Sequence, residues 1–345
     1  MATLREDLWA RVTRFATTVS RRWQTSSDAH DRALLSHALD LLARNSVLEY
    51  TGEYGPEVTT FIPFAAWLKQ EGLLQGRRIR TYSGMGPYYF FLNDGELEFK
   101  TEPRQWLHVR DRYWPSNSTY HATASPWHVY SDYRQHYALR GMTFQRPVIF
   151  IQNKFTVEWD VGPINYIPVG ALGQFLGRAR ERFSVVYSRP GSVNDAPKGY
   201  SRDHNPQLLY PDDHILERFP EVVHLERLCA DQALDYNLTK LEILAKSHLF
   251  VSVQGGSSHI LAAFGDSLLL MLDHEEYLGI EGREYPHAYR HGPYKYLAKV
   301  PPRLLVTRNF PDFIEGMQMM SRVRLESGKI IIPSKMMPSV ERWTI

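Results

Sequence analysis

The chain has 345 residues, 43% of them hydrophobic and 23% charged, with a formal net charge of +2. A chain of this length predicts two domains, and the composition is that of a folded soluble protein with enough apolar residues for a core in each half. The near-balance of charge excludes a surface that tracks nucleic acid, and the single cysteine, Cys229, excludes an intrachain disulfide and any zinc site built on two thiolates.

Leu4, Leu8, Val12, Phe15 and Val19 recur at three- and four-residue intervals with arginines between them. This is the pattern of an amphipathic helix, which either packs on its own domain or lies on an anionic membrane surface. Charges interrupt the segment throughout, so it lacks the apolar core of a signal peptide, and no stretch elsewhere has the twenty or so apolar residues of a span. The expected location is the cytoplasm, and peripheral attachment to the inner face of a membrane is the alternative that this helix leaves open.

A second helical pattern covers 31–44, a short strand 47–50, a turn 51–56 and an apolar helix 57–71, followed by a strand at 78–82. This βαβ alternation implies parallel strands with a covering helix. Residues 83–146 hold no long period and are rich in Tyr, Trp, His, Pro and Arg, which predicts an irregular insertion that lines a site. Tyr82, Tyr88, Tyr89, Trp106, Trp114 and Trp127 suit a glycan, since aromatic faces stack on sugar C–H surfaces; core packing is the alternative. A buried parallel strand at 147–152 then opens a second unit, with strands at 184–188, 222–225, 248–253 and 268–272 and helices at 169–183, 238–246 and 257–264 between them. A helical pattern covers 313–324.

The most informative run is Phe250 to His259, where a strand ends in Gly255-Gly256 and a helix begins with Ser257-Ser258. Glycines admit a ligand close to the backbone, and the unpaired N–H groups of a helix start attract phosphate, with either serine able to cap the helix and donate to the anion. A plain capped turn is the alternative. Neither the dinucleotide fingerprint nor a P-loop is present, which turns the reading from dehydrogenases and ATPases to a nucleotide-sugar diphosphate. Asn153 and Lys154 at the end of the 147–152 strand, and Arg189 at the end of the 184–188 strand, face the crevice where α/β sheets hold ligands, and are candidates to neutralise a departing diphosphate. For Lys154 the alternative is a solvated surface residue, and for Arg189 a structural salt bridge.

With the Gly52-Glu53-Tyr54-Gly55-Pro56-Glu57 turn and the 245–256 run, the chain resembles the GT-B glycosyltransferases, among them fucosyltransferase-like and bacterial polysaccharide enzymes. The resemblance implies an α/β fold of two Rossmann-like domains facing a cleft: residues 1–146 on the acceptor side, and residues 147–345 holding the nucleotide sugar, with the 313–324 terminal helix able to return and pack on the first domain. It implies transfer of a sugar from a nucleoside diphosphate to a glycan hydroxyl, with the donor as co-substrate, a glycan acceptor and no metal. Glu53 on the first-domain turn is the expected base, with Asp160, Glu158 and Glu57 as competitors. Glu57 can instead serve the first helical turn. No Asp-x-Asp pair occurs for a divalent ion, and His287 and His291 are flanked by Pro286 and Gly292-Pro293, which argues against a zinc-binding helix. A sugar-nucleotide epimerase, or a non-catalytic glycan-binding protein on a transferase scaffold, stands as the alternative.

Overall fold

The structure is a computed structural model that describes residues 44–102, 104, 129–157, 162–192, 208–274, 289, 292–326 and 329–344. It is an α/β fold with two parallel sheets, one of three strands and one of six, and a short antiparallel hairpin. The three-stranded sheet contains β1 (Val47–Glu49), β2 (Arg78–Tyr82) and β3 (Leu97–Lys100) in that order. Between β1 and β2 a continuous helical stretch runs through α1 (Tyr54–Pro56), a π-helical turn (Glu57–Phe61) and α2 (Ile62–Gln70). β3 and α3 (Tyr133–Tyr137) fall inside the segment expected to be irregular.

The six-stranded sheet is built from β4 (Val148–Gln152), β5 (Ser184–Ser188), β6 (Val223–His224), β7 (Ser247–Val253), β8 (Leu268–Leu272) and β9 (Arg303–Thr307). Its order is β6-β5-β4-β7-β8-β9, with every neighbouring pair parallel. The chain therefore leaves the central β4 in one direction for two strands, then crosses back to add three strands on its other side. The helices around this sheet are α4 (Val169–Ala179), α5 (Asp212–Leu216), α6 (Leu225–Asp231), α7 (Tyr236–Lys246), α8 (Gly256–Ala262), α9 (Pro293–Tyr296), α10 (Phe310–Met320) and α11 (Met337–Trp343).

All five residues of β4 and of β8 are buried, as expected of parallel strands covered on both faces. The pleat sorts them between two apolar clusters. Ile149, Ile151, Leu268 and Leu270 join α4, α10 and α11, while Val148, Phe150, Leu269 and Met271 join α7 and α8. The second cluster continues without a break into Tyr50, Val58, Phe61, Phe64, Ile79 and Tyr82, so residues on both sides of the 146/147 boundary share one core. Polar ties reinforce the join. Tyr88 donates to Asn237 Oδ1 at 3.2 Å, Asn237 donates to the carbonyl of Gly84 at 2.9 Å, and Arg134 donates to the carbonyls of Ala245, Ser247 and Phe264.

Two expectations change here. Tyr82, Tyr88 and Tyr89 are at most 3% exposed, so core packing takes them and no glycan can stack on their faces; Trp106, Trp114 and Trp127 lie outside the described residues. The helix expected at 313–324 spans Phe310–Met320 and packs on the six-stranded sheet instead of returning to the first unit. Gly316 makes this possible, because a Cβ there would come 2.7 Å from Leu270. Cys229 is buried, and burial pushes its thiol up to about 12, which leaves it a core residue with little thiolate character.

Candidate functional site

In an open parallel sheet, adjacent crossovers that leave in opposite directions open a crevice beyond the carboxyl ends of the strands between them. Here that point lies between β4 and β7. β4 ends at Gln152 and is followed by Asn153-Lys154, and β7 ends at Val253 and is followed by Gln254-Gly255-Gly256. The structure brings the two runs together: a Cβ on Gly255 would lie 2.9 Å from Lys154 Nζ. Gly255 also has φ +150°, a conformation that other residues adopt only with strain. Lys154 thus lies across the glycine turn that opens α8.

The neighbours hold this arrangement in place. Ser258 donates to the carbonyl of Gly255 at 2.7 Å and lies 2.9 Å from Tyr294 Oη, so its hydroxyl braces the turn. Ser257 is half-buried on the first turn beside it. Asn153 Oδ1 accepts from the backbone N–H of Lys154 and of Ile167, each at 2.9 Å, and its Nδ2 donates to Tyr187 Oη at 2.8 Å. Asn153 is fully buried and aims the lysine; its own amide serves the scaffold. Arg189 donates to both oxygens of Asp212, at 2.6 and 2.8 Å, with only 3% of its surface exposed. The salt bridge is what Arg189 makes, and its fork is committed to that carboxylate, so a direct clamp on a diphosphate is not its part.

The loop after β1 meets the same turn. A Cβ on Gly55 would come 3.2 Å from Gly256 Cα and 3.3 Å from His259 Cδ2, and one on Gly256 would come 3.2 Å from Gly55 N. A Cβ at either glycine would crowd the other backbone at this approach. Glu53 stands two residues before Gly55, half-buried, with its carbonyl accepting from Tyr50 Oη. Glu57 is fully buried and accepts from Thr81 Oγ1, from Tyr89 Oη at 2.7 Å and from Arg104 Nη2 at 2.6 Å. That ion pair makes Glu57 a strut of the loop and withdraws it as a base. Asp160 and Glu158, like His287 and His291, lie outside the described residues.

Several groups at the crevice were not singled out from the sequence. Asp273 and His274 follow β8, and Arg308 follows β9. Asp273 is fully buried; its Oδ2 accepts from Tyr289 Oη at 2.8 Å and from Arg308 Nη1, while its Oδ1 has no hydrogen-bond partner among the described residues. Burial raises its pKa, against the opposing pull of Arg308, Tyr289 and Lys154. His274 donates its backbone N–H to Asn165 Oδ1 at 2.8 Å. A polar pair directly after an apolar strand is the signal that singled out Asn153 and Lys154, and Leu268–Leu272 followed by Asp273-His274 repeats it. Among the described residues no three His, Cys, Asp or Glu side chains converge as metal ligands would.

His259, on the first turns of α8, is buried, and its Nδ1 has no partner among the described residues. Burial, with the Lys154 ammonium adding to it, lowers its pKa to about 4. An unfolded histidine takes up its proton near about 6.5. Between these values the unfolded chain binds more protons, so stability falls as the pH drops from about 6.5 towards about 4, by on the order of 3 kcal/mol. Urea unfolding at about pH 7 and about pH 4.5 is expected to show a smaller acid loss in His259→Phe than in the parent. An identical acid loss in both would contradict this assignment.

No known protein family, curated protein or solved structure matches the chain. The reading of the site therefore rests on its own geometry.

Proposed function

We propose that the protein binds a nucleoside diphosphate sugar at the β4/β7 crevice and transfers the sugar to a hydroxyl of a glycan, without a metal ion, between two Rossmann-like units in a GT-B-type arrangement. The observation that carries this reading is the position of Lys154, a cation lying against Gly255 at the point where the strand order reverses. A diphosphate there meets three favourable things at once: backbone that approaches closely because no Cβ intervenes, N–H groups at the turn, and a fixed positive charge.

In this reading the glycine turn seats the diphosphate, and Lys154 stabilises the charge that develops on it as the glycosidic bond breaks. Asn153 and Ser258 position these groups. Glu53, on the loop whose Gly55 touches Gly256, takes the proton of the acceptor hydroxyl. Asp273, held by Arg308 and Tyr289, lines the crevice beside Lys154 and orders its polar end.

Incubation with a panel of nucleotide sugars and oligosaccharide acceptors tests the reaction. The expected result is release of a nucleoside diphosphate that accelerates when acceptor is added, with the sugar recovered on the acceptor. Conversion of the donor to an isomeric nucleotide sugar without acceptor would replace transfer by epimerisation. Glycan binding indifferent to every nucleotide would replace it by recognition alone.

A further inference from the structure

The end of the six-stranded sheet opposite the crevice has a chemistry of its own. All six strands are parallel, with Val148 opposite Ser184 and Ser247, and Leu268 opposite Leu249 and Arg303, so the residues before them gather at one end of the sheet. Arg146 precedes β4, Arg182 precedes β5, Lys246 precedes β7, and Lys299 and Arg303 precede or open β9, with Arg140 beside Lys246. All but Lys246 are exposed, and Lys246 is half-buried.

Helix ends explain part of this group and leave the rest. Arg146 donates to the carbonyl of Arg180, Arg182 to that of Arg322 and Lys246 to that of Arg140. Each bond satisfies a backbone carbonyl at or near a helix end, where positive charge is favoured. In each case the carbonyl that accepts belongs to a residue that is itself basic. Lys299 and Arg303 follow no such logic. Among the described residues the acids on this rim are Glu181, Glu221, Glu242 and Asp266, fewer than the bases; Glu221 is paired with Arg180 at 2.8 Å, and Glu242 lies beside Lys246 and Arg140.

Two aliphatic side chains stand out of the same rim. Leu139, next to Arg140, is 99% exposed, and Val300, next to Lys299, is 55% exposed. Val300 is fixed there by its carbonyl, which accepts from Asp266 N at 3.0 Å. Neither contributes to the core. Lysine and arginine head groups around projecting aliphatic side chains match a bilayer whose surface is anionic and whose interior is apolar. Nucleic acid would use the charge and leave the aliphatics without a partner.

We propose that this basic rim, with Leu139 and Val300 as its apolar points, docks the protein on an anionic lipid bilayer. The surface is distinct from the amphipathic pattern at the start of the chain. Docking here sets the crevice facing away from the bilayer, one strand length or about 15–20 Å above the rim.

Co-sedimentation of the full chain with vesicles tests this. The expected result is binding at low salt to phosphatidylcholine vesicles containing phosphatidylglycerol, little binding to phosphatidylcholine alone, and release at about 0.5 M salt. The triple variant Arg140→Glu, Lys299→Glu, Arg303→Glu, which spares the carbonyl-bonding side chains, is expected to bind about a hundredfold more weakly. A second variant, Leu139→Ser with Val300→Ser, changes no charge and is expected to bind several-fold more weakly while melting as the parent does. Absence of binding to the anionic vesicles, or equal binding by parent and both variants, would overturn the proposal. So would tighter binding to a duplex RNA that ignores the serine substitutions. Nucleotide binding by the triple variant, unchanged from the parent, keeps this result separate from the fate of the crevice reading.

Discussion

Replacing Arg104 by methionine is expected to destabilise the fold by about 3–5 kcal/mol and to lower the melting temperature by roughly 5–15 °C. The side chains of Arg104 and Glu57 are both fully buried and bond at 2.6 Å. Arg104 also donates to the carbonyl of Gly52 at 3.3 Å, and its guanidinium lies 4.4 Å from the centre of the Tyr82 ring. Methionine keeps much of the packing but leaves the Glu57 carboxylate, among the described residues, with only the Thr81 and Tyr89 hydroxyls to answer its charge. An uncompensated buried charge is far more expensive than the loss of the pair as a whole. The double variant Arg104→Met, Glu57→Gln should therefore recover much of the loss. Denaturant unfolding of both variants checks this; a single variant within about 1 kcal/mol of the parent, or a double variant no better than the single, would contradict it.

The second large effect concerns turnover. Lys154→Ala is expected to lower the rate of donor cleavage by about a hundred- to a thousandfold, the range found when one fixed stabiliser of developing charge is removed. The lysine is not part of the apolar core, so stability should move by less than about 1 kcal/mol. Its field also holds His259 down, so the acid loss of stability should shift with the same substitution. Lys154→Arg keeps the charge but must place a larger planar head against Gly255, and partial recovery is the expected outcome. Equal turnover in Lys154→Ala and the parent would remove the lysine from the mechanism.

Much of the six-stranded sheet was legible because its strands advertise themselves. Val148–Gln152, Ser184–Ser188 and Leu268–Leu272 are short apolar runs between breakers, and they fall within a residue of where the sequence puts them. Helix starts were less exact for a local reason. Asp235 Oδ1 accepts from Leu238 N, and Asn309 Oδ1 from Asp312 N, so α7 and α10 begin two and three residues before their apolar periods suggest. β3 was missed because Leu97–Lys100 carries charge at alternate positions at the edge of a small sheet. The roles of Tyr82, Tyr88 and Tyr89 were misjudged because an aperiodic aromatic segment reads alike whether it lines a site or fills a core.

For the site, the glycine turn and Lys154 were visible as a strand-end pattern, and the fold brings them together. Asn153, Arg189 and Glu57 were visible too, but their partners lie 34, 23 and 47 residues away in sequence, and no local pattern reveals that each is committed to such a contact. Asp273 and Arg308 depend on the order of strands, which places the ends of β8 and β9 next to the crevice only after the chain has crossed back over β4.

Thermal shift with UDP, GDP and CMP, on the parent and on Lys154→Ala, tests the central claim most directly, since a ligand that binds the folded state raises its apparent stability. The account predicts that one nucleoside diphosphate stabilises the parent, that CMP does so weakly or not at all, and that the shift disappears in Lys154→Ala. No shift with either diphosphate, or the same shift in parent and variant, would contradict it.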